Sequence, residues 1–472
     1  VQELIAYSSS QSSTRTAIES NINSNYKIYG SATASFDPDY QAFINATGIT
    51  QPTQSAALET LVSDLKSYGL WSKMKAIYPM VTDKNNRFAY SQALGTTWNA
   101  TNVYVTQSFI TAPDGTSTGN FVSESAVTDT HFIYQTISDG LVTGSEYVAS
   151  IYGKFLNRPW IAMETNTGAK AWFNIQTGIT GSLTGSNATI TAVSGGWYRC
   201  ALYFTSSVAS GPQNIQYNLA DANGNLSYAG VAGTGSYLWG AQFENGNVLG
   251  PYRATTATGF TTGSMLDQMK YNLKNPADTD AAFRITYSGS WNGGYSGVRG
   301  DGVTAYADTK LIPSSSLTNN NTHISIYSRT DNLLNQIEIG SWPSSGNRLL
   351  MTLRYSSSGN FEAEQYKELT SRVSASNSNS TGLYISSRTN NTTHKSYKNN
   401  IQFGSTNSGD PGSTTNINAS IWIGAVNTSI FRGYSTKEFG FSTIGDGLTD
   451  YESKALYWIV QKYQTTLGRQ VY

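Results

Sequence analysis

Three glutamates in FEAEQYKE, Glu362, Glu364 and Glu368, form the sharpest catalytic feature of the chain. Residues two apart on a strand share a face, and paired carboxylates beside a glycosidic bond can supply a nucleophile and an acid. The neighbours Gln365 and Lys367 are polar, however, so the stretch reads as a solvated charged edge, and no catalytic residue is assigned. His131, His323 and His394 lie in separate strand-like segments without a serine elbow or metal-ligand spacing, and read as structural. DANGN at 221–225 offers Asp221, Asn223 and Asn225 to a calcium ion, but Leu226 and Ala232 stand where a calcium loop needs Gly and Glu. A hairpin turn is the expectation there, and neither a metal nor a cofactor is expected. Cys200, alone in WYRCALYF, reads as a small buried side chain.

Aromatic residues carry the remaining chemistry, because flat rings stack on the C–H faces of sugars while Asn, Asp and Arg satisfy hydroxyls. Trp160 follows Asn157, Arg158 and Pro159 at a strand start. Trp291 and Tyr295 sit in the glycine-rich SWNGGYSGVRGD, and Trp342 lies between Ser341 and Pro343 at a turn. Trp160, Arg158, Trp291, Tyr295 and Trp342 are therefore the candidate glycan-binding residues, with core packing or a subunit contact as the competing role for each ring.

The elements that must position them change character along the chain. A strand and a helix over about 13–26 open it, with Ile18, Ile22 and Tyr26 on one stripe and Gly30 beyond. A second helix is expected over about 54–68, carrying Leu58, Leu61, Val62 and Leu65, with Gly69 as its stop. An apolar turn, LWSKMKAIYPMV, follows. From about residue 96 the period becomes two, and eight segments including HFIYQTI, PWIAMET, KAWFNIQ and NIQYNLA read as strands. Nine more candidate strands lie between 280 and the end, before a last helix capped by Thr449 and Glu452.

Composition sets the class. Charged residues are 13% of the 472, the formal net charge is zero, and 44 Gly, 31 Tyr and 10 Trp accompany polar loops. That balance favours antiparallel sandwiches and gives no concentrated basic surface for nucleic acid or an anionic membrane. No apolar run approaches the ~20 residues that span a bilayer, so membrane insertion is not expected. The fold class is mainly β: tandem antiparallel sandwiches, one jelly roll and one concanavalin-like, with a few short helices.

Several motifs resemble known families. APDGTSTGNFV, AWFNIQTG, SGGWYRC and SYLWGAQFENG followed by PYRATTAT resemble carbohydrate-binding-module-like jelly rolls of bacteriophage tail and fibre proteins. The resemblance implies that Trp172, Trp197 and Trp239 belong to the core. GDGVTAYADT, HKSYKNN and SIWIGAVN resemble concanavalin/laminin-G-like sandwiches, with Asn399-Asn400 where that family's hairpin often ends in Asn-Gly. Laminarinase-like hydrolases share this scaffold, but an aspartate of their motif is replaced by Glu364. Residues 1–30 have the plan of 437–468 and read as the terminal strand and helix of a preceding lectin-like domain. The expected organisation is then that piece, a helical connector and module start over 31–95, a jelly roll over 96–258 inserted into a loop, and the sandwich over 259–472.

The resemblance implies a non-catalytic virion structural protein, a fibre or surface decoration at the virion surface. It would meet host cell-surface glycans and other virion proteins as a homo-oligomer, a trimer by analogy. A polysaccharide depolymerase on the same scaffold, a bacterial surface adhesin and a pure spacer are the alternatives.

Overall fold

The computed structural model describes residues 36–185, 187–207, 212–344, 346–411, 417–429 and 432–472. The opening strand and helix expected over 1–30 lie outside these residues. The described chain is mostly strand, arranged as two antiparallel sandwiches with few helices.

In the middle sandwich, one sheet of six strands runs in the order Asn187–Val193, Trp197–Thr205, Glu146–Lys154, Gly235–Asn245, Gly119–Glu124, Val103–Ile110. The facing sheet of seven runs Ser227–Ala229, Thr128–Ile137, Gln213–Ala220, Trp160–Thr165, Lys170–Asn174, Ile179–Thr184, with Asn99–Thr101 paired to Thr128–Ile137. Alternation sends Ile133, Ile215, Tyr217, Leu219, Met163 and Phe173 inward, against Ile151, Cys200 and Phe243 of the other sheet. Cys200 is a core side chain whose thiol burial pushes well above its ordinary range. Trp172, Trp197 and Trp239 are buried but lie outside that inter-sheet core, in two satellite clusters on the outer faces.

The C-terminal sandwich has two sheets of eight strands. LWSKMKAIYPMV, expected as a turn, instead contributes the strand Met74–Tyr78, which pairs with Glu438–Gly445. Its neighbourhood is completed by residues after the middle sandwich: Asn272 Oδ1 accepts from Ile77 N–H at 2.9 Å, and Leu273 N–H donates to Ile77 O at 2.8 Å. The helices Pro38–Thr47 and Pro52–Ser67 join Asp450–Thr466 as a layer over this sheet, with Leu58, Leu61, Leu456 and Val460 at the centre. The expected connector is thus part of the C-terminal body, because its apolar stripe needs that partner. Thr449 and Glu452 make the expected capping box, and Gly69 takes the left-handed conformation that ends its helix.

Two crossing segments link the sandwiches, and they bond to each other. Phe260 N–H donates to Asn86 O at 2.8 Å, and Asn86 Nδ2 donates to Ala241 O and Arg253 O at 3.0 and 2.9 Å. The returning segment lies over the outer face of the six-stranded sheet, where Tyr252 packs on Trp239 and Tyr152. Beneath it, buried Glu244 accepts from Asn85 Nδ2 at 2.8 Å and Gly250 N–H at 3.0 Å, with Arg199 4.0 Å away.

Burial is the dominant influence on Glu244, outweighing Arg199 and the hydrogen bonds, and pushes its carboxyl up to about 7. An acid whose folded pKa lies above its unfolded value stabilises the fold least when ionised. Its contribution is therefore lost as pH rises from the usual carboxylate range through about 7. Glu244→Gln keeps an oxygen for Asn85 and Gly250. In thermal denaturation across pH 5 to 8, the difference in Tm between variant and wild type should grow in the variant's favour as pH rises. A difference that does not change with pH would contradict this reading.

Candidate functional site

The two faces of the middle sandwich are not equivalent. The crossing segments cover part of the six-stranded face, which keeps exposed Phe109 beside Phe121 and Tyr237, and the seven-stranded face carries half-exposed Phe132, Tyr134 and Trp160. Four adjacent strands place Phe132, Asn218, Ala162 and Trp172 side by side in one outward row. Neighbouring strands are about 4.8 Å apart, so Phe132 and Trp172 stand about 14 Å apart, with Asn218 and Ala162 buried between them. Tyr134 extends the Phe132 wall, with ring centroids 5.9 Å apart, and Trp160 stands opposite Ala220 at the other end of this face.

Asn218 is the unusual member. It is 1% exposed, and neither its amide nitrogen nor its oxygen has a hydrogen-bond partner. The Trp172 indole N–H, two strands away across Ala162, is also buried without an acceptor. Leaving such groups unpaired costs about 1 to 3 kcal/mol each, and buried polar groups of this kind call for an explanation. The surrounding chemistry is that of a sugar site: aromatic walls, an amide that can both donate and accept, and Gln216 next along the strand. Glu164 and Lys170 on the same face pair with each other at 2.6 Å.

The five sequence-derived candidates fall in four places. Trp160 is half-buried at one end of this face, packed with Trp172, Ala162, Ala220 and Leu226. Arg158 points elsewhere: it pairs with buried Glu124 and lies over the Tyr228 ring at 4.9 Å, and Tyr228 Oη donates to the same carboxylate at 2.6 Å. Its role there is to fix the loop through Val231, whose N–H also bonds Glu124.

In the other sandwich Trp291 and Tyr295, expected as exposed rings, are buried. Trp291 and Tyr295 are 5% and 3% exposed, because SWNGGYSGVRGD forms a hairpin, Trp291–Gly294 with Gly297–Gly300, instead of a free loop. Gly294 and Gly293 let it press against Asn245 and Leu266, where a Cβ would collide. The Trp291 indole donates to Ser288 O at 3.0 Å and meets Tyr287 edge-on. Trp342 is half-buried with Arg348 stacked over it at 4.7 Å.

That arginine belongs to a charge ladder that accounts for the three glutamates. Arg348 pairs with Glu364 and, at 3.3 Å, with Glu368, while Arg372 bonds Glu364 at 2.5 Å and Glu362 at 3.1 Å. Glu364 is 1% exposed, so the solvated edge expected of it is corrected to a buried, doubly clamped carboxylate. His323 and His394 are buried and hydrogen-bonded, and burial lowers them to about 4 and about 3, which keeps them neutral. His131 is buried against Tyr228. The DANGN segment closes as a turn through the Ala222–Asn225 bridge, with Asn225 Nδ2 donating to Asp221 Oδ1 at 2.8 Å.

Phe132, Tyr134 and Asn218 were not singled out by sequence. The available signal was alternation: HFIYQTI places two aromatics on the outward side, and NIQYNLA places Gln216 and Asn218 opposite Ile215, Tyr217 and Leu219.

No protein-family model matches the chain, and no curated protein matches it. Among solved structures it is similar to the CBM22-1 and GH10 modules of Clostridium thermocellum endo-1,4-β-D-xylanase 10B complexed with xylohexaose. That likeness covers 36% of this chain and 28% of that one, at 15% identity and a TM-score of 0.21. A Trypanosoma rangeli sialidase mutant displaying trans-sialidase activity is similar over 74% of this chain and 61% of its own, at 9% identity and a TM-score of 0.28. The chain therefore spans less than two thirds of the length of either structure. Likeness at this level establishes no activity for this chain.

The ladder makes a stability prediction that a catalytic pair would not. Removing one charge from a buried pair typically costs about 3 kcal/mol or more, whereas an exposed pair is worth under about 1. Glu364→Gln should therefore lower urea-unfolding stability by about 3 kcal/mol, and Glu362→Gln by less than about 1. Equal small effects would show that the ladder is not structural.

Proposed function

We propose that this protein is a non-catalytic glycan-binding structural protein whose middle sandwich holds a sugar on its seven-stranded face. The observation that carries the reading is the buried, unpartnered amide of Asn218 between Phe132 and the unpartnered indole of Trp172. A sugar hydroxyl admitted between the rings supplies the missing donor and acceptor, and the rings take its apolar faces. Binding energy then comes from groups that the free protein leaves unsatisfied.

The phage-type motifs of both sandwiches support placing this site on a virion, as a fibre or surface decoration that meets host cell-surface glycans. In that setting the chain works beside other virion proteins as a homo-oligomer, and repetition turns weak single sites into firm attachment. Binding without cleavage is favoured by the charge ladder, since Glu362, Glu364 and Glu368 all face guanidinium groups and these three do not form an open carboxylate pair.

Asn218→Leu tests the reading, because the two properties of the site should move in opposite directions. Removing an unpaired buried amide should raise stability by about 1 to 3 kcal/mol. On a glycan array, binding should fall about tenfold or more, the equivalent of one lost hydrogen bond to a buried group. Unchanged glycan binding in the variant would remove this face from the function, as would release of reducing ends from a bound polysaccharide for the non-catalytic reading.

A further inference from the structure

Where the middle sandwich meets the crossing segments there is a cavity of about 300 Å³. The end of the strand Thr128–Ile137 and the turn after it form one wall, through Thr136, Ser138 and Asp139. The crossing segments form the other, through Arg87, Thr258 and Phe260. The frame is fixed behind the cavity. Gln135 holds Ala89 at both its N–H and its C=O, at 2.7 and 3.0 Å, and a Cβ at Gly259 would strike Arg87 O. Arg87 is the residue this frame leaves incomplete. Its side chain is 2% exposed, with Nη1 donating to Asn245 Oδ1 at 2.9 Å and Nη2 to Gly140 O at 2.7 Å and to Asp139 Oδ1. Its Nε–H is buried and has no acceptor, and a buried donor of this kind calls for a partner. Across the cavity, Asp139 Oδ2 and the exposed hydroxyls of Ser138 and Thr258 take no hydrogen bond among the described residues.

We propose that this junction cavity is a second binding site, for a single neutral sugar residue, and that it is separate from the Asn218 face. A hydroxyl oxygen supplies the acceptor that Arg87 Nε–H lacks, and a neighbouring hydroxyl donates to Asp139 Oδ2. Ser138 and Thr258 can donate or accept as the ring requires. Half-buried Phe260 and the Ile137 side chain offer a surface to its apolar face. An uncharged ligand fits because Arg87 and Asp139 already pair. An anion would meet the carboxylate, and a cation would meet the guanidinium. The volume lies at the lower end of those that hold small molecules, so one ring enters and a long chain does not lie within it. Because its walls come from the sandwich and from the segments that cross to it, the bound ring ties the turn at 138–139 to the returning segment.

Hydrogen exchange of the full chain, with and without glucose, galactose, mannose or xylose, tests the site. At least one of these sugars should slow exchange over 87–89, 136–139 and 258–261 together, with no matching change elsewhere in the chain. Thr258→Trp and Ser138→Trp fill the cavity from exposed positions on its two walls and leave the Arg87–Asp139 pair in place. Each should abolish that protection, with near-ultraviolet circular dichroism confirming the fold and either variant sufficing if the other is misfolded. Asn218→Leu should keep the protection, which separates this site from the seven-stranded face. Protection that survives the cavity-filling substitutions, or that is lost in Asn218→Leu, would overturn the proposal. So would the absence of protection with all four sugars, including the case in which inorganic phosphate alone protects these segments.

Discussion

One buried cation holds the architecture together. Arg469, 1% exposed near the C-terminus, donates to Pro79 O and Gly440 O at 2.9 and 2.8 Å, to Met80 O and Tyr295 O at 2.8 and 3.1 Å, and to Gln464 Oε1 at 2.6 Å. Those acceptors belong to the outgoing crossing segment, the Trp291 hairpin, the strand Glu438–Gly445 and the last helix. A guanidinium satisfied entirely by such acceptors tolerates burial because every one of its donors is used. Its neighbour Arg329 pairs with Glu438 and donates to Arg469 O at 2.8 Å, so the clamp is itself held. The chain can therefore leave the C-terminal sandwich at a fixed angle, build a second sandwich and return.

This fixed departure decides which face of the middle sandwich is free. The returning segment must run along the six-stranded sheet, where Arg199 Nη1 donates to Gly250 O at 2.8 Å and Tyr252 covers Trp239. Trp239 and Tyr152 of that face are spent on the junction, while Phe109, Phe121 and Tyr237 form a separate ring cluster on the same sheet. The seven-stranded face carries the unpaired amide of Asn218 and the unpaired indole of Trp172.

The sandwich class was legible because period-two alternation needs only neighbours in sequence, as in WYRCALYF and NIQYNLA. What was not legible depended on distant partners. Met74–Tyr78 becomes a strand only through Glu438–Gly445, and the helices over 38–67 become a layer only through Asp450–Thr466. Arg158 reads as a sugar ligand beside Trp160 until Glu124 claims it. Trp291 and Tyr295 look like exposed loop rings until the glycines between them admit Asn245 and Leu266. Alternation could show that Asn218 points outward, but not that the opposite sheet would be the covered one.

The central claim is that Asn218 is completed by a ligand. A crystal structure of the full chain with the best-binding neutral oligosaccharide tests it most directly. The account predicts a sugar ring between Phe132 and Trp172 with a hydroxyl within hydrogen-bonding distance of the Asn218 amide. A sugar seated only elsewhere, beside Trp342 for instance, with Asn218 still unpartnered, would contradict it.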